Sequence, residues 1–399
     1  MFNPLNLIKE PVGFAIDLAA YAAAKIPTVE KKFRVADRFH GDWPEGPFLW
    51  LHGASLGECK MLRTLSEFLQ HDIPQCPKIL ITTQKPEVLD YFKNSESGTD
   101  FAMAPADTPS SLTKFISKVK PLGLVLGENE LWPGYLSTMK NLSLRPSVAV
   151  VSGRFHRAIP FLDYSAIGFA SMQSGADLMR FQTAAHRYAL PQAIIGGDWK
   201  LLSWAKSQKD VTPPQNPTID IAFLSMHLSE WTSLNRMIAT ALRQGNSVVL
   251  VPRRIFEAEA FRKALLEQDV IVTEWPLVQK GAVTLVSSFG KTAEILSTTR
   301  RAVVGGSFSS GLGVHDFWEP LQNGVATCIG PYSKGQEDTV CALVREGVLT
   351  QLQSTAFFSS TNFPDIGPVQ SLLKREREKI IASYEELLKF LIDLLKEQG

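Results

Sequence analysis

The chain is poor in cysteine: Cys59, Cys76, Cys328 and Cys341 are the only four in 399 residues, with no CxxC pair or zinc-type spacing. That is too sparse for a disulfide framework and fits a reducing compartment. Charge of one sign is also absent. Lys and Arg number 41 against 40 Asp and Glu, a net +1, which gives no indication of a nucleic-acid partner. No stretch holds the roughly 20 uncharged apolar residues of a spanning helix. The start, Met1-Phe2-Asn3-Pro4, lacks the basic cluster and apolar run of a secretory signal.

Missing motifs narrow the field further. Without GxxxxGK[ST], HExxH or GxSxG, phosphate-loop NTPases, zincins and α/β-hydrolases lose support. Gly311-Leu312-Gly313 lacks the third glycine of a dinucleotide fingerprint. The seven histidines are dispersed without metal-ligand spacing and read as structural or exposed.

What is present is a globular composition, 45% hydrophobic and 20% charged, of a length suited to two or three domains. Short apolar runs alternate with helix-length segments. The first set of strands is expected at Pro47–His52, Lys78–Thr83, Gly123–Gly127, Ser147–Ser152 and Ala193–Gly196. A second set is expected at Thr218–Ser225, Ser247–Pro252, Val270–Thr273, Ala282–Val286, Arg301–Gly305 and Ala326–Ile329. Such alternation predicts an α/β chain of doubly wound parallel sheets covered on both faces. A Pro-rich polar segment separates the sets. The expected organisation is therefore a first domain over 1–206, a linker at 207–218, a second domain over 219–370 and an amphipathic helix over 371–399. In that helix Ile380, Tyr384, Leu387, Leu388, Leu391 and Leu395 follow the three-and-four spacing of one apolar face, suited to packing across domains or to a membrane surface. The apolar opening stretch 11–27, interrupted by Asp17 and Lys25, reads either as an interfacial helix or as a helix on the protein's own core.

Polar clusters fall at the carboxyl ends of expected strands, where open parallel sheets bind ligands. His52-Gly53-Ala54-Ser55-Leu56-Gly57-Glu58 leads from a strand into a helix. Glu58 is either a base for an attacking hydroxyl or an ordinary helix-start glutamate, and a helix N-terminus favours its charged form, lowering its pKa. Glu128 and Glu130 flank Asn129, as ligand-orienting carboxylates or as surface acids; Arg154 and Lys200 offer cations to an anionic ligand. In the second half Gly305-Gly306-Ser307 and Gly311–Gly313 form a glycine-rich loop whose N–H groups are expected to meet phosphate. His315 and Glu319 follow, and His227, Arg253 and Arg254 stand at neighbouring strand ends.

In order, these clusters resemble those of the Kdo transferase family, membrane-associated enzymes that attach 3-deoxy-D-manno-oct-2-ulosonic acid (Kdo) to lipid A precursors. The matching stretches are His52–Glu58, Glu128–Pro133, Gly153-Arg154, Gly197–Lys200, Ser225–Glu230, Val251–Arg253, Val304–Ser307, His315–Pro320 and Gly330-Pro331. The resemblance implies a GT-B architecture, two Rossmann-like domains facing a cleft with a C-terminal helix packing across them. It implies inverting transfer of Kdo from CMP-Kdo to a lipid A precursor in lipopolysaccharide biosynthesis, without a metal, at the cytoplasmic face of the bacterial inner membrane through peripheral contact. By the same resemblance Glu58 is the general base, and His52, Ser55, Glu128, Glu130, Arg154 and Lys200 meet acceptor and sugar. His227, Arg253, Gly306, Ser307, His315 and Glu319 would hold CMP, Glu319 on the ribose. Departures fall in the donor half: Leu228-Ser229 replaces an acidic Glu-Gly pair, Asp316-Phe317 an Asn-Pro, and Tyr332 a histidine. Another sugar-nucleotide enzyme of the same architecture, or a non-catalytic CMP-sugar-binding homologue, is the alternative reading.

Overall fold

The computed structural model describes residues 25–93, 99–143, 145–157, 159, 162–188, 192–207, 210–288, 290–359 and 361–396, together with 19 and 22. Of the 11–27 stretch, all but residues 19, 22 and 25–27 lie outside the described residues, as do 208 and 209 of the linker. The chain divides into two compact units, residues 1–207 with 376–399 and residues 208–375.

In the first unit the strands are Phe48–His52 (β1), Lys78–Thr83 (β2), Asp100–Met103 (β3), Pro121–Gly127 (β4), Val148–Gly153 (β5), Ile167–Met172 (β6) and Gln192–Ile195 (β7). They pair in parallel in the order β3-β2-β1-β4-β5-β6-β7. All five residues of β1 are buried, the mark of a strand covered on both faces by crossover connections. Strand order reverses between β1 and β4, which opens a crevice beyond their carboxyl ends. Asp107 caps a helix distant in sequence: its carboxylate accepts the Gly134 and Tyr135 N–H groups of helix Pro133–Leu142, both at 3.1 Å.

The second unit repeats the plan with Ile219–Met226 (β8), Val248–Pro252 (β9), Ile271–Glu274 (β10), Ala282–Leu285 (β11), Thr299–Val304 (β12), Ala326–Ile329 (β13) and Leu349–Gln351 (β14). Its parallel order is β10-β11-β9-β8-β12-β13-β14, with the reversal between β8 and β12.

Helix Ile366–Lys396 starts in the second unit, and from Glu376 onward its residues belong to the first. There Ile380, Tyr384, Leu387 and Leu391 are fully buried, Leu388 and Leu395 half-buried. The face rests on β6. A Cβ on Gly168 would lie 2.3 Å from the Phe390 ring, and Ser383 Oγ donates to Ser171 Oγ at 2.6 Å. Tyr384 OH and Lys206 Nζ both reach the Asp72 carboxylate, at 2.7 and 2.9 Å. Among the described residues no helix is long and apolar enough to cross a membrane.

Candidate active site

The first cluster gathers at the switch point of the first sheet. Ser55 is the N-cap of helix Leu56–Asp72, its Oγ accepting the Glu58 N–H at 3.2 Å. The Glu58 carboxylate folds back over the cap, accepting Ser55 Oγ–H at 2.6 Å and Ala54 N–H at 2.9 Å. Glu58 is 8% exposed. Burial raises its pKa, the neighbouring Glu128 charge raises it further, and the bonds from Ser55 and Ala54 oppose both; Glu130 adds to the rise. The net direction is upward, against the expectation of a pKa lowered at the helix N-terminus: loss of water and like charge outweigh the cap's hydrogen bonds.

Glu128 leaves β4 in left-handed backbone, φ 49°, unusual for a non-glycine residue. Its carboxylate lies 2.6 Å from Lys200 Nζ and 3.6 Å from Arg154 Nε. Lys200 is raised above its ordinary value: burial would lower it, but Asp198 and Glu128 prevail. Both residues are supported from behind, Lys200 at its backbone and Arg154 at its guanidinium. Asp198 Oδ1 accepts the Lys200 backbone N–H at 3.0 Å, and Gln173 Oε1 accepts Arg154 Nε–H at 3.0 Å. Ser152, also left-handed at φ 55°, joins these supports: its Oγ accepts from Gln173 Nε2 at 3.0 Å and donates to Asp198 Oδ1 at 3.4 Å.

The third carboxylate, Glu130, accepts Trp132 Nε1–H at 2.7 Å and lies 3.3 Å from His52 Nε2. His52 is fully buried, its Nδ1 2.9 Å from Thr82 Oγ1. That hydroxyl already accepts Trp50 Nε1–H at 2.7 Å, and its own proton is nearer His52 Nδ1 than the Leu51 carbonyl at 3.4 Å. The network therefore assigns the neutral ring's proton to Nε2, facing Glu130. Burial would raise Glu130, but the His52 hydrogen bond, the positive charge of that ring whenever it is protonated, Trp132 and Lys85 together hold it below its ordinary value. Glu58 and Glu130 are thus moved in opposite directions, Glu58 toward accepting a proton. His52, Ser55, Glu58, Glu128, Glu130, Arg154 and Lys200 all belong to this one edge.

The second cluster lies at the switch point of the second sheet. Glu230, 2% exposed, accepts three backbone N–H groups: His227 at 3.0 Å, Gly306 at 2.9 Å and Phe308 at 2.9 Å. It fastens the end of β8 to the end of β12. The Gly306 N–H is taken by it and the Gly305 N–H by the Leu224 carbonyl, so neither is offered to phosphate, against the expectation for this turn. Ser307 is likewise engaged, donating to the Val304 carbonyl at 2.6 Å and accepting Gly330 N–H at 2.8 Å. Gly306 has φ 75°, and a Cβ there would stand 2.2 Å from the Gly313 carbonyl and 2.9 Å from the His315 ring.

His315 Nε2 lies 2.7 Å from His227 Nε2, a distance at which one ring donates and the other accepts. Burial, then the positive charge of Arg253 and then His227, pushes His315 down to about 4. His227 is lowered as well, by burial first and by Arg254 and Arg253, against Glu230 and Glu257. The pair is neutral near pH 7. Arg253 is exposed just past β9, and Glu319 is half-buried in the first turn of helix Trp318–Gln322. Asp316, where the family prefers asparagine, accepts the Trp318 and Glu319 N–H groups at 2.9 and 3.2 Å, a task either side chain performs. Among the described residues no group of three or more His, Cys, Asp or Glu is arranged to hold a metal ion.

In the sequence Trp132, Asp198 and Glu230 stand inside the matching stretches without a role assigned to them, and Thr82 and Gln173 fall outside those stretches. Thr82 carries a signal in retrospect, as it stands beside His52 in the parallel register of β1 and β2. Glu230 carries only the local three-residue spacing to His227, and its larger role is hidden because its other two partners lie 76 and 78 residues away.

Residues 28–187 match a family model described as 3-deoxy-D-manno-octulosonic-acid transferase (kdotransferase). The chain is 25% identical over 302 residues to the 3-deoxy-D-manno-octulosonic acid transferase of Aquifex aeolicus, covering 75% of this chain and 80% of that one. It is 24% identical over 318 residues to the enzyme of the same name from Chlamydia trachomatis serovar D, covering 73% and 72%. In three dimensions it is similar to the kitacinnamycin glycotransferase, with a TM-score of 0.51 at 11% identity over 88% of this chain and 100% of that one. The fold, two seven-stranded parallel Rossmann-like sheets, is of the GT-B type.

Proposed function

Because the chain belongs to the Kdo transferase family of glycosyltransferases, its substrates are a sugar donor and an acceptor, and we propose that it transfers Kdo from CMP-Kdo to a lipid A precursor with inversion. In this reading the acceptor hydroxyl oxygen attacks the anomeric carbon of Kdo, and its proton passes to the Glu58 carboxylate. The bond between the anomeric carbon and the phosphate oxygen breaks, and CMP departs with the electron pair. Lys200 and Arg154 meet the carboxylate or phosphate charge of the reacting sugars, while Arg253 and the neutral His227–His315 pair meet CMP, with Glu319 on its ribose. Peripheral contact at the cytoplasmic face of the bacterial inner membrane, through the 11–27 stretch, belongs to the same proposal.

The observation that carries the reading is the division of labour among three neighbouring carboxylates. Glu128 is ion-paired to Lys200, Glu130 is held low by His52, and Glu58 is raised. Separation of this kind is how one site assigns a base. The test is incubation of the full chain with freshly made CMP-Kdo and a tetra-acylated lipid A precursor, read by mass spectrometry. UDP-sugars serve as competing donors. A product heavier by one or more Kdo units is expected; product from a UDP-sugar alone would overturn the donor assignment.

A further inference from the structure

At the opposite end of the first sheet, the amino ends of β4 and β5, lies a cavity of about 550 Å³ within the first unit. β4 rises about 3.3 Å per residue, which puts this cavity roughly 20 Å from Glu128. It therefore serves none of the chemistry described above. Its size lies within the range of small-molecule sites. Ile116, Leu122, Met139, Leu142 and Leu394 give it an apolar wall. Lys120 and Arg145, both exposed, also line it, and no acidic residue does. The exposed pair between Lys120 and Glu45, at 3.8 Å, is weak enough for an anion to compete with.

One polar group in the wall has no account within the fold. Ser147 is 1% exposed and its hydroxyl has no hydrogen-bond partner, although it lines the cavity. A buried hydroxyl left unpaired is unfavourable, so a ligand oxygen that pairs with it is favoured. We propose that this cavity binds a single-chain amphiphile with an anionic head, the chain lying along Leu122, Met139, Leu142 and Leu394 and the head held by Ser147, Lys120 and Arg145. An apolar wall alone would suit any hydrophobe. The unpaired hydroxyl and the positive charge of Lys120 and Arg145 select an oxygen-rich anion, a carboxylate or phosphate on an alkyl chain.

The test needs no sugar nucleotide, so it stands apart from the transfer reaction. Dodecyl phosphate, below its critical micelle concentration, is titrated into the full chain by calorimetry. Saturable one-to-one binding is expected, with dodecyl maltoside about tenfold weaker for want of a charged head. The double variant Lys120→Glu/Arg145→Glu should lose that tenfold preference and keep the maltoside affinity. Ile116→Trp fills the cavity and should abolish both; Leu142→Trp, at a half-exposed position, does the same should the first fail to fold. Parallel arms separate the sources of the ligand. Inorganic phosphate that binds as tightly as dodecyl phosphate would overturn the amphiphile and leave an anion site. Sedimentation with phosphatidylglycerol vesicles, unchanged in Ile116→Trp and unaccompanied by monomer binding, would overturn the cavity in favour of a membrane surface. Binding of dodecyl phosphate undiminished by the filling variant would overturn it outright.

Discussion

At the scale of single residues, protons distribute unevenly over a small area. Glu58 acts as a base only when ionised, so transfer should rise with pH through its raised pKa and fall away as pH drops below it. Glu128→Gln removes the second-largest cause of that rise, and the acid limb of the pH–rate profile should move to lower pH. Ser55→Ala removes a bond that lowers Glu58, so the limb should move the other way, with about 1 kcal/mol lost from the helix cap. Profiles that coincide across the three proteins would mean another group titrates. His315 supplies an independent check on the second unit. Its folded pKa of about 4 lies below the ordinary 6.5, so protons favour the unfolded chain between those values. Stability from this group is complete above pH 6.5 and is lost as pH falls toward 4. Thermal melts of wild type and His315→Gln should therefore converge over that interval, and parallel curves would contradict the assignment.

At the scale of elements, the strand ends are tied together by groups the local sequence does not announce. Glu230→Gln keeps the shape but replaces one acceptor oxygen with a donor facing backbone N–H groups. It should cost about 2 kcal/mol and weaken CMP binding, both measurable by titration and melting. Gly168→Val drives a side chain into the Phe390 ring and should destabilise the first unit by about 1–3 kcal/mol; an unchanged melting temperature would mean the C-terminal helix does not rest there. The same contact explains what the sequence concealed. β6 contains Gly168, Ala170 and Ser171 because the helix lies close against it, and small residues in place of β-branched ones erase a strand's usual signature. β3 and β14 were hidden differently, as edge strands of four and three residues. The buried strands β1, β2, β4, β5, β8 and β9 were legible as continuous apolar runs, since covering on both faces leaves no polar alternation.

At the scale of the whole molecule, each of the two sheets reverses its strand order once, and every candidate site residue lies at or near the carboxyl edge beside such a reversal. That much followed from placing polar clusters after apolar runs. The supports behind them did not, because Thr82, Gln173 and Glu230 act through partners brought near by the sheet, as does Asp198 toward Ser152. Nor did local sequence reveal the direction of the Glu58 shift, which depends on burial and on a carboxylate 70 residues away in the chain, taking 128 less 58. The measurement that bears most directly on the whole account is Kdo transfer from CMP-Kdo to the lipid A precursor by wild type and Glu58→Gln, assayed together. The account predicts product from the wild type and a loss of about a thousandfold in the variant, with CMP affinity preserved. A variant that transfers Kdo at a rate near the wild type's would contradict it.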